Sequence, residues 1–233
     1  MWAERLADRS PAVQRSRDHS VKQARVLVDA GRRLAMEQGA SFTIQDLVRE
    51  AGVAVQTFYR YFSGKDELLL AVLEDTILEA CEEFRVRAAE LTDPVERLHS
   101  HVTVVIERLD ALPSGDAGTR FVPAEHWRLA QIFPEEVERV SRPYSDLLQA
   151  EIEAATATGA LRSADPERDA WLVSQMVMSV FHQRSFLSTD DPGLADAVWR
   201  FCLHGLDAPA NDGSAPAAKG SPRSRGTRAR PAR

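Results

Sequence analysis

The residues with the most evident chemistry lie close together, between Thr43 and Lys65. Within one short stretch, Val55, Gln56, Thr57, Tyr59, Arg60 and Tyr61 offer an amide, a hydroxyl, two phenols, a guanidinium and an apolar contact. That set suits the edges of base pairs, because Gln can bond adenine twice and Val or the Thr methyl can touch a thymine methyl. Gln45, Val55, Gln56, Thr57 and Tyr59 are therefore candidates for base contacts. Thr43, Tyr61 and Lys65 are candidates for phosphates, which position a protein without reading sequence. Lys65 falls at the positive end of a helix, where a cation gains nothing from the dipole, so an outside anion is its expected partner.

Capping signals say which elements must hold these side chains. Thr43 can cap a helix while Asp46, three residues on, reaches back to the cap's own N–H. Ile44, Leu47, Val48 and Ala51 form its apolar stripe, and Gly52 can turn at positive φ without steric cost. A second short helix is predicted from about Ala54 to Phe62, with Val53, Phe58 and Phe62 turned inward and the polar and cationic residues outward. Ser63 then caps a longer helix through Leu68, Leu69, Val72 and Leu73, with Asp66 as its reciprocal partner. Two capped helices around a tight turn make a helix-turn-helix.

The run from Gly52 to Leu68 resembles the TetR family of bacterial transcriptional regulators, whose signature is roughly G-V-S-x-x-T-x-Y-x-[HY]-F-x-x-K-x-x-L. Gly52, Val53, Thr57, Tyr59, Tyr61, Phe62, Lys65 and Leu68 occupy the matching places. Ala54 stands where Ser or Thr is usual, which removes one cap and leaves the first-turn N–H groups to water or phosphate.

The resemblance implies a repressor that binds a palindromic operator as a homodimer and is released by a small molecule held in the helical body. Such a pocket could be lined by Phe84, Val102, Val105, Ile106, Trp127, Tyr144, Leu148, Met176, Phe181 and His182, and suits an apolar or amphipathic effector that is lipid-like, steroid-like or drug-like. The last two helices would pair with their mates across a two-fold axis, through Trp171, Val173, Leu194, Val198, Phe201 and Cys202. The segment 170–181 is apolar nearly all round and is expected to be buried on more than one side.

Whole-chain properties fit an all-α protein of about nine helices. The chain has 233 residues, 44% of them hydrophobic. Its expected parts are a flexible arm (1–20), a three-helix DNA-binding domain (21–66), a helical effector-binding and dimerisation domain (67–207) and a disordered basic tail (208–233). Helix one carries Ala24, Leu27, Val28, Gly31, Leu34 and Ala35 on one stripe and ends at Gly39. Asp93-Pro94, Phe133-Pro134, Asp165-Pro166 and Asp191-Pro192 read as four later helix starts. A shorter helix is expected near 123–132, after a loop at 112–119.

The net charge of −6 conceals a division. Six basic residues and no acid lie in 219–233, and the segment 21–65 is also basic, so the acidity concentrates in the body. That arrangement places positive charge where phosphates would sit.

No apolar run reaches membrane-spanning length and no signal segment opens the chain, so no membrane partner and a cytoplasmic location are expected. Cys81 and Cys202 read as small buried hydrophobes. His99, His101, His126, His182 and Glu125 lack the spacing of a ligand motif, so no metal and no cofactor are expected. No nucleophile elbow, P-loop or dinucleotide motif argues for an enzyme. The alternatives of a different class are an all-helical ligand-binding carrier or adaptor without DNA binding, or an enzyme using the helical pocket.

Overall fold

The computed structural model describes residues 10–111, 117–186, 191 and 193–207. Among them are nine α-helices and no strand. Helix α1 (Pro11–Gln38) turns through a short 3₁₀ segment (Gly39–Ser41) into α2 (Ile44–Ala51) and α3 (Val55–Tyr61). Then follow α4 (Lys65–Ala88), α5 (Pro94–Ala111), α6 (Ala117–Ala130), α7 (Pro134–Ala157), α8 (Pro166–Phe186) and α9 (Leu194–Asp207).

Burial explains the arrangement. Helix α1 turns Leu27, Val28, Ala30, Gly31, Leu34 and Ala35 inward. It crosses α4 closely at Gly31, where a Cβ would lie 3.1 Å from Val72 Cγ2 and 3.2 Å from Leu68 Cδ2. Phe42, Leu47 and Phe58 complete the small N-terminal core. Helix α4, at 24 residues about 36 Å long, serves both halves of the molecule. Its Leu68, Leu69 and Val72 close the head, while Ile77, Cys81 and Phe84 enter the body. A boundary at 66/67 thus falls two residues into a continuous helix, with no linker between the two parts.

Three of the four expected proline starts are helix starts: Pro94, Pro134 and Pro166 each open a helix. Asp93 Oδ1 accepts from Val95 N–H at 3.0 Å and Asp165 Oδ1 from Arg168 N–H at 3.2 Å, which satisfies first-turn donors. The fourth proline, Pro192, lies outside the described residues, and α9 begins at Leu194.

Several expectations need correction. Residues 11–20, read as an arm, are helical and continue α1 outward with almost every side chain exposed. Pro11 is well placed in the first turn, and once Leu27 to Ala35 anchor the helix, adding residues to its free end needs no new nucleus. Residues 1–9 of that arm, and the tail from 208, lie outside the described residues.

The helix expected near 123–132 starts earlier, at Ala117, and carries Pro123 in its interior. Phe121 and Leu129, buried on either side of the proline, offset its missing hydrogen bond. Residues 117–119 of the loop expected at 112–119 are helical, and 112–116 lie outside the described residues. Within the single chain α8 buries Ala170, Val173 and Val177 and leaves Trp171 and Leu172 about half exposed.

Candidate functional site

The head is built from local bonds. Thr43 Oγ1 accepts from Asp46 N–H at 3.1 Å and Asp46 Oδ2 accepts from Thr43 N–H at 3.0 Å, closing the capping box at the start of α2. These bonds from Thr43, with Arg49 nearby, hold the exposed Asp46 carboxyl below its usual pKa. At the other end Gly52 is left-handed, at φ 66° and ψ 30°. Val53 N–H reaches Val48 O at 3.0 Å and Gly52 N–H reaches Arg49 O at 3.3 Å, the paired bonds of a Schellman stop. That stop fixes the angle at which α3 leaves α2.

Ala54 then enters α3 with no side-chain cap. Phe58 is fully buried, with Tyr59 edge-on to it at 5.1 Å and Phe62 stacked at 5.7 Å. This packing sets which α3 side chains remain free. Gln56, Tyr59 and Arg60 are exposed, Tyr59 by 57%, and Gln45 is exposed on α2. Val55, Thr57 and Tyr61, expected outward, are half-buried, and Val55 and Tyr61 pack on the core. A helix of two turns cannot turn six of seven side chains away from the core it rests on.

The structure changes the account of Lys65. Its ammonium donates to Ala40 O and Phe42 O, each at 2.5 Å, and lies 4.6 Å from the centre of the Phe42 ring. The premise that it lacks a local partner is therefore wrong. Two of its three protons tie the 3₁₀ turn and the entry to α2 onto the start of α4. Burial pulls its pKa down, with the Glu125 carboxylate the main opposing influence.

Ser63 also behaves differently from expectation. Its N–H and hydroxyl both donate to Glu67 Oε2, at 2.6 and 2.8 Å, and Gly64 rather than Ser63 is the cap residue. Asp66 instead accepts from Arg128 on α6 at 2.7 Å, while Arg128 also bonds the buried Glu125 at 2.8 Å. This junction between head and body joins residues far apart in sequence, and no local spacing announces it.

The body holds a partly open cavity of about 150 Å³ bordered by α4, α5, α6, α7 and α8. Phe84, Val105, Tyr144 and Phe181 line it, as expected. The remaining six candidates lie elsewhere. Val102, Ile106 and Leu148 are sealed in the core, and Met176 lies 3.7 Å from the Cys202 sulfur. Trp127 is 65% exposed, and His182 sits between it and Phe186. Apolar periodicity marks core and cavity wall alike, so it could not separate them.

Missing from the expected set were the polar wall residues Thr76, Arg108, His126, Ser141, Ser174 and Gln175, and, among others, Cys81. Burial pushes the Cys81 thiol up to about 11, which leaves it unreactive at neutral pH. An open groove of about 700 Å³ between α7 and α8 shares His126, Ser141, Ser174 and Gln175 with the cavity. These four line both spaces.

The surface of α8 and α9 is apolar, but through only two of the six residues expected, Trp171 and Phe201, joined by Leu172 and Phe186, all four exposed. Val173, Val198 and Cys202 point into the protomer's own core and Leu194 is half-buried, so these four do not form the outer stripe. The apolar stripe of α9 was real, but it faces inward.

Comparison with known proteins agrees with this construction. Residues 27–72 match the family model described as bacterial regulatory proteins, tetR family. The HTH-type transcriptional regulator BetI of Brucella abortus (strain 2308) is 31% identical over 81 residues, 34% of this chain and 41% of that protein. The HTH-type transcriptional regulator HbdR of Aromatoleum sp. (strain CIB) is 37% identical over 87 residues, 36% of this chain and 38% of that protein. The chain thus spans well under half the length of these relatives.

The fold match is broader. The transcriptional regulator FadR from Bacillus subtilis, in complex with stearoyl-CoA, superposes with a TM-score of 0.61 at 17% identity, covering 78% of this chain and 98% of that one. RolR, in complex with resorcinol, gives 0.63 at 18% identity, covering 81% and 89%. The capped helix-turn-helix, residues 27–72, thus matches the tetR family of bacterial regulatory proteins, and the body shares the all-helical fold of these regulators.

Proposed function

We propose that the chain is a transcriptional repressor that binds a palindromic operator as a homodimer and leaves it when a small molecule fills the body cavity. The observation that carries the first part is the head itself. A Schellman stop at Gly52 fixes α3 against α2, and Gln45, Gln56, Tyr59 and Arg60 stand free on its outer side. Gln56 and Tyr59 would then read bases with Gln45, Val55 and Thr57 at the margin, and Tyr61 and Arg60 would take phosphates, while Thr43 gives both its N–H and its hydroxyl proton to Asp46. Residues 21–66 would form the reading head and 67–207 the sensing and pairing body.

One short helix reads few base pairs, so two heads are needed, about 34–36 Å apart for successive major grooves. The exposed Trp171, Leu172, Phe186 and Phe201 offer the face on which a second copy would pack. Helix α6 supplies a route from cavity to head. It borders the cavity through Val122 and His126 and grips Asp66, at the start of α4, through Arg128. A ligand that shifts α6 would therefore move the head. Proteins of similar fold include two whose structures hold stearoyl-CoA and resorcinol, which supports an internal effector. A cytoplasmic location follows from this reading, and no described helix is long and apolar enough to cross a membrane.

The test is duplex binding by the full chain as salt is varied. A regulator retains duplex DNA at low salt, loses affinity steeply as salt rises, and loses sequence preference on Gln56→Ala with Tyr59→Ala. A chain that binds small molecules but no duplex at any salt supports the carrier reading instead.

A further inference from the structure

The hydroxyls around the cavity spend their protons on their own helices. Thr76 Oγ1 donates to Val72 O at 2.8 Å, Ser174 Oγ to Trp171 O at 2.8 Å and Ser141 Oγ to Val137 O at 2.7 Å. A hydroxyl has one proton, so each oxygen is left with lone pairs to offer. His126 Nε2 lies 2.9 Å from Ser141 Oγ, whose proton is already committed, so the imidazole must be the donor there. Burial, with His182 nearby, pushes the His126 pKa down and keeps the ring uncharged.

The rest of the wall adds no free charge. Tyr144 turns its hydroxyl to His101 O at 3.1 Å and leaves its ring to the cavity. At the rim, the Arg108 guanidinium is paired with Glu83 and lies 5.2 Å from the centre of the Phe84 ring. Gln175, exposed, is neutral. A carboxylate entering here would meet hydroxyl acceptors and a cation already paired, with only the neutral Gln175 amide to donate to it.

Size narrows the occupant further. A cavity of about 150 Å³ is of the volume that takes one benzene ring. A steroid-like or long-chain compound would not fit within it and would have to extend into the adjoining groove. Phe84 and Tyr144, edge to face at 6.3 Å, with Phe181, form its aromatic side.

We propose that the cavity takes a neutral single-ring compound that donates a hydrogen bond, a simple phenol, with its ring against Phe84 and Phe181 and its hydroxyl proton on Thr76 or Ser174. This rests on the reading of the cavity as the effector site. The test is calorimetric titration of the full chain with phenol, toluene, benzoate and dodecanoate, repeated on a Thr76→Val, Ser174→Ala variant and on the cavity-filling Ala80→Phe. Phenol is expected to bind at least about five- to tenfold tighter than toluene, the worth of one hydrogen bond, and tighter still than either acid. The double variant should weaken phenol by the same factor and leave toluene within about twofold. Phenol affinity unchanged in that variant overturns the inference. So does an acid that binds tightest and is lost on Ala80→Phe, although that result upholds the effector site. Binding of none of the four overturns both.

Discussion

Replacing Lys65 by Met separates a structural lysine from a phosphate-binding one. Met keeps most of the stem, and with it the contact with Phe42, but removes the ammonium that bonds Ala40 O and Phe42 O at 2.5 Å. A hydrogen bond to a charged group contributes about 1.5–3 kcal/mol net. Lys65 is only half-buried, so water can reach the two carbonyls in the variant, and the lower end of that range applies to each bond. The expected loss is about 2–3 kcal/mol, or roughly a 1 M drop in the urea midpoint at the usual slope for a small domain. Urea denaturation followed by helical circular dichroism measures it. The salt dependence of duplex binding, measured at a temperature where the variant is folded, should keep the wild-type slope. A variant within about 0.5 kcal/mol of wild type, whose salt slope falls by about 0.9, would show that Lys65 serves a phosphate and not the turn.

Other parts of the account are open to equally direct tests. At Gly52 nothing lies within 4 Å of an added Cβ, so Gly52→Ala should cost only the left-handed backbone penalty of about 1–2 kcal/mol, and Gly52→Asn clearly less; equal losses in urea denaturation would contradict the turn geometry. His101 is buried with its Nδ1 unpartnered, and burial, then Arg97 and Arg85, lowers its pKa to about 4. Glu151, 3.8 Å from its Nε2, does not reverse this, being held by Arg97 at 2.8 Å. The unfolded chain therefore takes up a proton below pH 6.5 that the folded chain refuses until about pH 4. Stability present above pH 6.5 is lost as the pH falls through that window, by an amount on the order of 3 kcal/mol, and His101→Leu should flatten the profile measured by denaturation from pH 7 to 4. Phe201→Glu should convert a dimer to a monomer in sedimentation velocity without lowering the urea midpoint of a monomer, since the side chain is 67% exposed; an unchanged dimer would move the pairing face elsewhere. Arg128→Ala should leave duplex affinity within a few fold yet weaken release by effector, and full release would remove α6 from the route.

What could be read in the sequence was what is local. The Thr43 and Asp46 box, the Gly52 stop and the proline starts at 94, 134 and 166 each depend on neighbours within a few residues, and each is present. The junction of Arg128 with Asp66 spans 62 residues, and the lysine bonds to Ala40 and Phe42 span 25 and 23, so no spacing rule reaches them. The Ser63 cap failed because Glu67 sits as conveniently as Asp66, and Asp66 had a stronger partner in the body. In the cavity, apolar pattern located the walls in part but not the Ser and Thr oxygens, whose helical back-bonds become visible only once the helices are assembled.

The central claim, a two-fold reader built on Gln45, Gln56, Tyr59 and Arg60, is tested most directly by in vitro selection of random duplex DNA with the full chain. The account expects enrichment of an inverted repeat whose half-sites are centred about one helical turn, or a small multiple of it, apart. It also expects Gln56→Ala to change the enriched bases at symmetric positions in both halves. Enrichment of no sequence at low salt, or of a single unpaired half-site that Gln56→Ala leaves unaltered, would contradict it.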